Sequence, residues 1–198
     1  MPAGFSLDIE LLEIQSSGRA PRLLLHCCCA PCASYVLEYL TPFFVTTILY
    51  YNPNIFPAEE YDKRAGEFQK LLTLSNYPNN VGIVVDGYDH KTFETAAMPF
   101  WEEPEGGRRC KACFELRLKE TAKRAKEKKY EYFATTLSVS PHKNAAALNE
   151  IGSGLAGEFG VRYLNADFKK KDGYRRSVEL SKQYGLYRQP YCGCERSR

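Results

Sequence analysis

No run in this 198-residue chain approaches the roughly 18 consecutive apolar residues that a membrane-spanning helix needs. The N-terminal stretch MPAGFSLDIELLEIQ carries acids where a secretory signal needs a basic start, and it lacks a sustained apolar segment. Those two absences make the cytoplasm the expected compartment and assign no role to a membrane. Persistent disulfides are disfavoured there, and thiols stay available as ligands. Internal repeats, low-complexity tracts and a second domain are missing as well. One core is expected, with residues 1–21 as an extension and residues 22–198 as a single catalytic α/β domain ending in an irregular, metal-binding tail.

An isolated cysteine is also missing. All eight fall in three tight groups: Cys27, Cys28, Cys29 and Cys32 in HCCCAPC, Cys110 and Cys113 in RCKAC, and Cys192 and Cys194 in YCGC. Cysteines serving only as small buried hydrophobes would be scattered along apolar faces. Clustering at three distant points implies one site gathered by folding, where soft thiolates hold a soft metal or an iron–sulfur cluster. Consecutive cysteines point in different directions, which makes a disulfide framework awkward. Zinc competes, because two C-x-x-C pairs make a tetrahedral structural site. A compact zinc ribbon, however, separates its pairs by roughly 15–20 residues, whereas Cys32 and Cys110 lie far apart and zinc would leave half the thiols idle. A thioredoxin-like pair accounts for one C-x-x-C but not for the other groups. Iron–sulfur chemistry leads, with a zinc-stabilised RNA-binding module and a cytosolic thiol oxidoreductase as alternatives.

The hydrophobic pattern predicts strands at 21–26, 43–51, 81–85, 130–135 and 161–164, alternating with helices. A short helix is expected at 7–14 and others at 30–39, 91–97 and 110–129. A further one follows Pro57, with Tyr61, Ala65, Phe68, Leu71 and Leu72 on one face, and two more end near Phe159 and Tyr184. Such alternation means right-handed crossovers and a mostly parallel five-stranded sheet with helices on both faces, Rossmann-like in character. Ligands of these sheets bind beyond the carboxyl ends of the strands, where the first cysteine group falls. Cys28, Cys29 and Cys32 also flank a helix N-terminus, which stabilises negative charge on sulfur.

Net charge is +3, but from Arg108 to Glu131 ten basic residues face four acids, and from Arg162 to Arg198 the ratio is the same. That asymmetry points to a polyanionic partner such as nucleic acid, beside the plainer reading of solvated helix faces. His26 reads as a structural histidine, while His142 sits on a loop beyond the fourth strand, where it can face a ligand. Asp86, Asp89 and Asp167 follow strands as ligands, acids or turn caps. Tyr184, Tyr187 and Tyr191 stack a base or pack the tail.

The segments Leu23–Cys32, Arg109–Cys113, Phe133–Lys143, Asp167–Ser177 and Tyr191–Cys194 resemble those of the cobalamin-independent epoxyqueuosine reductases (QueH), over about Arg22 to Cys194. The arrangement is also similar to nucleotide-hydrolase (HUP) α/β folds, with Cys-Cys-Ala-Pro-Cys where relatives keep a pyrophosphate loop. The Ser-Gly-Gly run of that loop is absent, so ATP use is not supported. The resemblance implies reduction of epoxyqueuosine in tRNA to queuosine, with a 4Fe-4S cluster and a second mononuclear iron. Cys28, Cys29, Cys110 and Cys113 are expected to serve the cluster and Cys192 and Cys194 the second iron, with Cys32 in either set. Cys32, His142 and Asp167 are the expected catalytic groups, and Lys169, Lys170, Lys171, Arg175 and Arg176 the tRNA contacts. The partners implied are tRNA and a low-potential, ferredoxin- or flavodoxin-like electron donor.

Overall fold

The structure is a computed structural model, and it describes residues 7–197. In chain order the elements are α1 (Leu7–Ser16), β1 (Arg22–His26), α2 (Ala30–Leu40), β2 (Val45–Tyr50), α3 (Ala58–Leu74), β3 (Val81–Val85), α4 (His90–Ala97), α5 (Arg108–Glu127), β4 (Tyr132–Thr135), α6 (Ala145–Phe159), β5 (Arg162–Tyr163) and α7 (Gly173–Gln183). The strands form one parallel sheet in the order β3-β2-β1-β4-β5, the doubly wound, Rossmann-like arrangement.

Apolar side chains continue along both faces of the strands, as a sheet covered twice requires. Leu23, Leu25, Ile48, Tyr50 and Tyr132 pack with α1, α2, α3 and α7, while Leu24, Leu49, Phe133 and Tyr163 pack with α5 and α6. The chain winds outward from β1 through β2 to β3, then returns through α4 and α5 to place β4 on the other side of β1. His26 and Thr135 end up as register partners at the carboxyl edge. The loops after β1 and β4 diverge there, leaving a crevice between them.

Two strand starts differ from expectation for a local reason. Phe43 and Phe44 donate their N–H groups to Leu40 O, finishing the turn after α2, so the β2 ladder begins only with Val45. Tyr130 likewise donates to Ala125 O and closes α5, which delays β4 to Tyr132. Within the expected extension, Leu11 and Ile14 of α1 are buried in the main core.

The approach of α7 to α2 leaves no room at Gly173, where a Cβ would lie 1.9 Å from Phe168 O and 2.3 Å from Tyr35 Cε1. Gly154 on α6 has open space around it. Gly173→Ala is expected to destabilise by about 1–3 kcal/mol, as overpacking does. Gly154→Ala should instead stabilise by up to about 1 kcal/mol through helix propensity. Denaturant unfolding of both variants checks this, and equal effects would contradict the close helix contact.

Candidate metal centre

The chain leaves β1 with Cys27 still in the sheet's ladder, its N–H donating to Leu49 O at 3.0 Å. The Cys27 side chain is fully buried in the main core, and burial pushes its thiol well up. Cys28, Cys29 and Cys32 bring their sulfurs within 4.8 Å of one another. Cys28 Sγ and Cys29 Sγ are 3.8 Å apart. Cys29 is the extended residue that starts α2, and Pro31 sits in the first turn, where its missing N–H removes nothing from the helix. Hydrogen bonds from the Cys28 and Cys32 thiols, the Cys32 backbone and the Gln189 amide hold the Cys29 thiol well below its ordinary value. This corner already favours a thiolate.

A second group forms beside it. Cys110 and Cys113 lie in the first turns of α5, and Gly106 N–H donates to Cys110 Sγ at 3.2 Å. Cys192 and Cys194 arrive from the C-terminal segment. All four line a small cavity of about 20 Å³ together with Arg109, Phe114 and Arg117. Cys113 packs with Cys194, Phe93 and Ala97, and burial pushes its thiol up to about 12. Cys192 also lines a larger cavity of about 480 Å³, whose wall includes Cys28, Cys29, Cys32, His142, Lys143 and Gln189. Folding therefore brings seven of the cysteines into two adjoining cavities that share Cys192.

The tail reaches this place through a buried strap. Arg64 on α3 donates Nε to Glu60 at 2.7 Å and Nη1 to Cys192 O at 3.0 Å. Gly193 adopts φ +118°, and a Cβ there would meet Arg64 Nη1 at 3.0 Å and Ile55 Cγ1 at 3.1 Å. The bend therefore needs glycine on conformational and steric grounds alike.

The other expected residues separate. His142 is exposed on the rim of the larger cavity. Asp167 instead pairs with Lys169 at 3.0 Å and is not among the residues that line either cavity. Lys169 Nζ also donates to Ser138 O and Lys143 O, both at 3.2 Å, and so ties the β4 loop to the β5 loop. Lys170 is exposed. Lys171 pairs with Asp8, Arg176 with Glu38 and Glu179, and Arg175 with Asp172 and Glu179, all on the surface. Asp89 caps α4 through Thr92 N, and Asp86 pairs with Arg124. His26 Nε2–H donates to Tyr51 O, which leaves Nδ1 to accept from the Thr135 hydroxyl; burial and then Arg117 lower its pKa to about 4. It is a neutral structural residue.

Two cations escaped assignment from the sequence. Burial opposes the charge of Lys143, yet the sulfurs of Cys192 and Cys28 outweigh it and hold the ammonium above its ordinary range. Arg117 is 1 % exposed and stands four residues beyond Cys113, on the same helix face. That helical spacing, and the adjacency of Lys143 to His142, were the available signals.

With this geometry in place, the similarities of the whole chain become informative. The sequence model described as Epoxyqueuosine reductase QueH matches residues 23–198. The chain belongs to the QueH family. A relative from Streptococcus pyogenes serotype M1, named Epoxyqueuosine reductase QueH, is 44% identical over 176 residues, 88% of this chain and 69% of that protein. Relatives of the same name from Staphylococcus epidermidis and Thermotoga maritima are 42% and 35% identical; they cover 91% and 87% of this chain and 77% and 88% of their own length. Among the described residues, no helix is long and apolar enough to cross a membrane.

If the strap delivers the family's C-terminal cysteines, Gly193→Ala should loosen it. Amide exchange across the residues after Gly185 is expected to accelerate about tenfold, equivalent to about 1.4 kcal/mol. Exchange unchanged from wild type would show that the glycine is dispensable.

Proposed function

We propose that this chain is an oxidoreductase that reduces the epoxide of epoxyqueuosine at the tRNA wobble position to the cyclopentene of queuosine. The observation that carries the reading is the meeting of seven cysteines from three distant segments at the mouth of a parallel sheet, in a chain of the QueH family. A thiol oxidoreductase needs only one such pair, and a structural zinc only four ligands.

The donor sets fit two different groups. Tetrahedral thiolate bonds of about 2.3 Å put sulfurs about 3.8 Å apart, the range of the Cys28–Cys29 spacing. Cys28, Cys29 and Cys32 therefore suit one metal ion, which they would hold beside the larger cavity. Cys110, Cys113, Cys192 and Cys194 supply the four thiolates that a 4Fe-4S cluster takes. The sequence expectation joined Cys28 and Cys29 to Cys110 and Cys113 instead, and Cys110 and Cys113 belong to the cluster set in both divisions. When bound, the cluster supplies electrons singly and the second iron supplies a Lewis acid for the epoxide oxygen.

The reaction breaks both C–O bonds of the epoxide and forms C=C. It consumes two electrons and two protons and releases the oxygen as water. A cavity of about 480 Å³ is the right size for a nucleoside. Lys143, charged and facing Cys28 and Cys32 across this cavity, gives a proton to the departing oxygen; His142 on the rim relays the next from solvent. Cys32 holds metal in this scheme, and Asp167 fixes Lys169. Cys28 and Cys32, with a smaller contribution from Gln189, hold the Cys29 thiol low by hydrogen bonding. Tyr174, Arg188 and Tyr191 line the entrance, where a base stacks and phosphate approaches. Lys170, Arg175 and Arg176 lie beside Tyr174 and meet the tRNA backbone. Their surface ion pairs are weak enough to exchange for phosphate. A low-potential donor of ferredoxin or flavodoxin type supplies the electrons, and a tRNA enzyme of this kind works in the cytoplasm.

Anaerobic incubation of iron-reconstituted protein with epoxyqueuosine-containing tRNA and a low-potential reductant, followed by nucleoside mass spectrometry, should reveal queuosine. Protein that purifies with zinc and yields none would refute the reading. Lys143→Ala is expected to lower turnover about 10²-fold or more while leaving iron content intact, as loss of a general acid does. Binding of the tRNA should weaken as salt rises, and replacing Lys170 and Arg175 by alanine should flatten that dependence.

A further inference from the structure

Arg117 is among the largest fully buried side chains of the protein. Its Nε donates to Cys113 O at 3.1 Å. Both Nη1 and Nη2 are buried and have no hydrogen-bond partner among the described residues. The Phe114 ring lies 5.7 Å from the guanidinium carbon, and no acid accompanies Arg117 on the wall it shares with Cys110, Cys113, Cys192 and Cys194, apart from Glu105 at the margin. A guanidinium does not shed its proton in a protein. Burying one costs several kcal/mol unless an anion compensates it. Cys113 and then Cys192, Cys28 and Cys110 are the groups that favour its charge. The sulfurs are thus the groups that favour its charge, and its two Nη donors have no partner among the described residues.

We infer that Arg117 is a positioning residue for the cluster: its free Nη groups donate to cluster sulfur, and its charge sets the potential at which the cluster accepts an electron. The inference rests on the assignment of Cys110 and Cys113 to the 4Fe-4S group. Reduction adds one negative charge to that assembly. A fixed cation in dry surroundings favours the reduced form, so removing it should drive the midpoint down. In metal-free protein the same cation is an uncompensated buried charge, and replacing it by an apolar side chain of similar length should not weaken the fold.

These opposite signs separate a redox role from a merely structural one. Anaerobically reconstituted wild type, Arg117→Met and Arg117→Lys are titrated electrochemically with spectroscopic detection of the cluster, and the metal-free forms are unfolded thermally. Arg117→Met should make one-electron reduction at least tenfold less favourable, a fall of about 59 mV in midpoint. Arg117→Lys, which keeps the charge and loses the fork, should lie between the two. Metal-free Arg117→Met should unfold no earlier than metal-free wild type. An unchanged midpoint in a cluster-loaded Arg117→Met, or a metal-free Arg117→Met that does not fold, would overturn the inference while leaving the reductase reading standing. Wild-type protein that takes up no cluster would overturn both.

Discussion

Pairing of β1 with β4 is the constraint on which the site depends. The two strands are far apart in sequence, yet Leu23 to His26 lie in register with Tyr132 to Thr135. Because β1 also pairs with β2 on its other side, the connections leave in opposite directions and the carboxyl edge opens between them. The loop after β1 delivers Cys28, Cys29 and Cys32, and the loop after β4 delivers His142 and Lys143. The His26–Thr135 hydrogen bond locks the strand ends at this opening, and neutral His26 adds no charge to a site already crowded with titratable sulfur. The remaining thiols are brought in from outside the sheet, two by the start of α5 and two by the tail that Arg64 straps down.

The electrostatics of the site follow from that geometry. Thiols packed together in dry surroundings resist ionisation, as burial shows at Cys113 and Cys194. Two cations oppose this from different sides, the half-buried Lys143 at the larger cavity and the buried Arg117 at the smaller one. Hydrogen bonding selects Cys29 as the sulfur that ionises most easily, with Cys28 and Cys32 as donors to it. The site is thus divided between a larger cavity lined by Cys28, Cys29, Cys32 and Lys143 and a smaller one lined by Cys110, Cys113, Cys194 and Arg117.

Much of this was legible in the residues. The strand–helix alternation revealed the parallel sheet, because a doubly covered sheet leaves continuous apolar runs such as residues 23–25 of β1. Grouped cysteines revealed convergence, because packing alone would not cluster them. Which cysteines line which cavity was not legible, since spacing along the chain carries no information on which segments meet. Charges were the harder part. Lys169 looked like a phosphate contact in a basic run, but its ammonium is held by Asp167 and two carbonyls. Arg117 lies inside the basic run from Arg108 to Glu131, and only its four-residue offset from Cys113 marked the buried face.

The most direct measurement of the central claim is anaerobic thiol alkylation with mass-spectrometric mapping, performed at increasing iron and sulfide loading. If the three segments share one centre, Cys28, Cys29, Cys32, Cys110, Cys113, Cys192 and Cys194 become protected as iron is taken up, while Cys27 stays unreactive throughout because it is buried in the core. Protection confined to one segment, with the other cysteines reacting as they do without iron, would contradict the account.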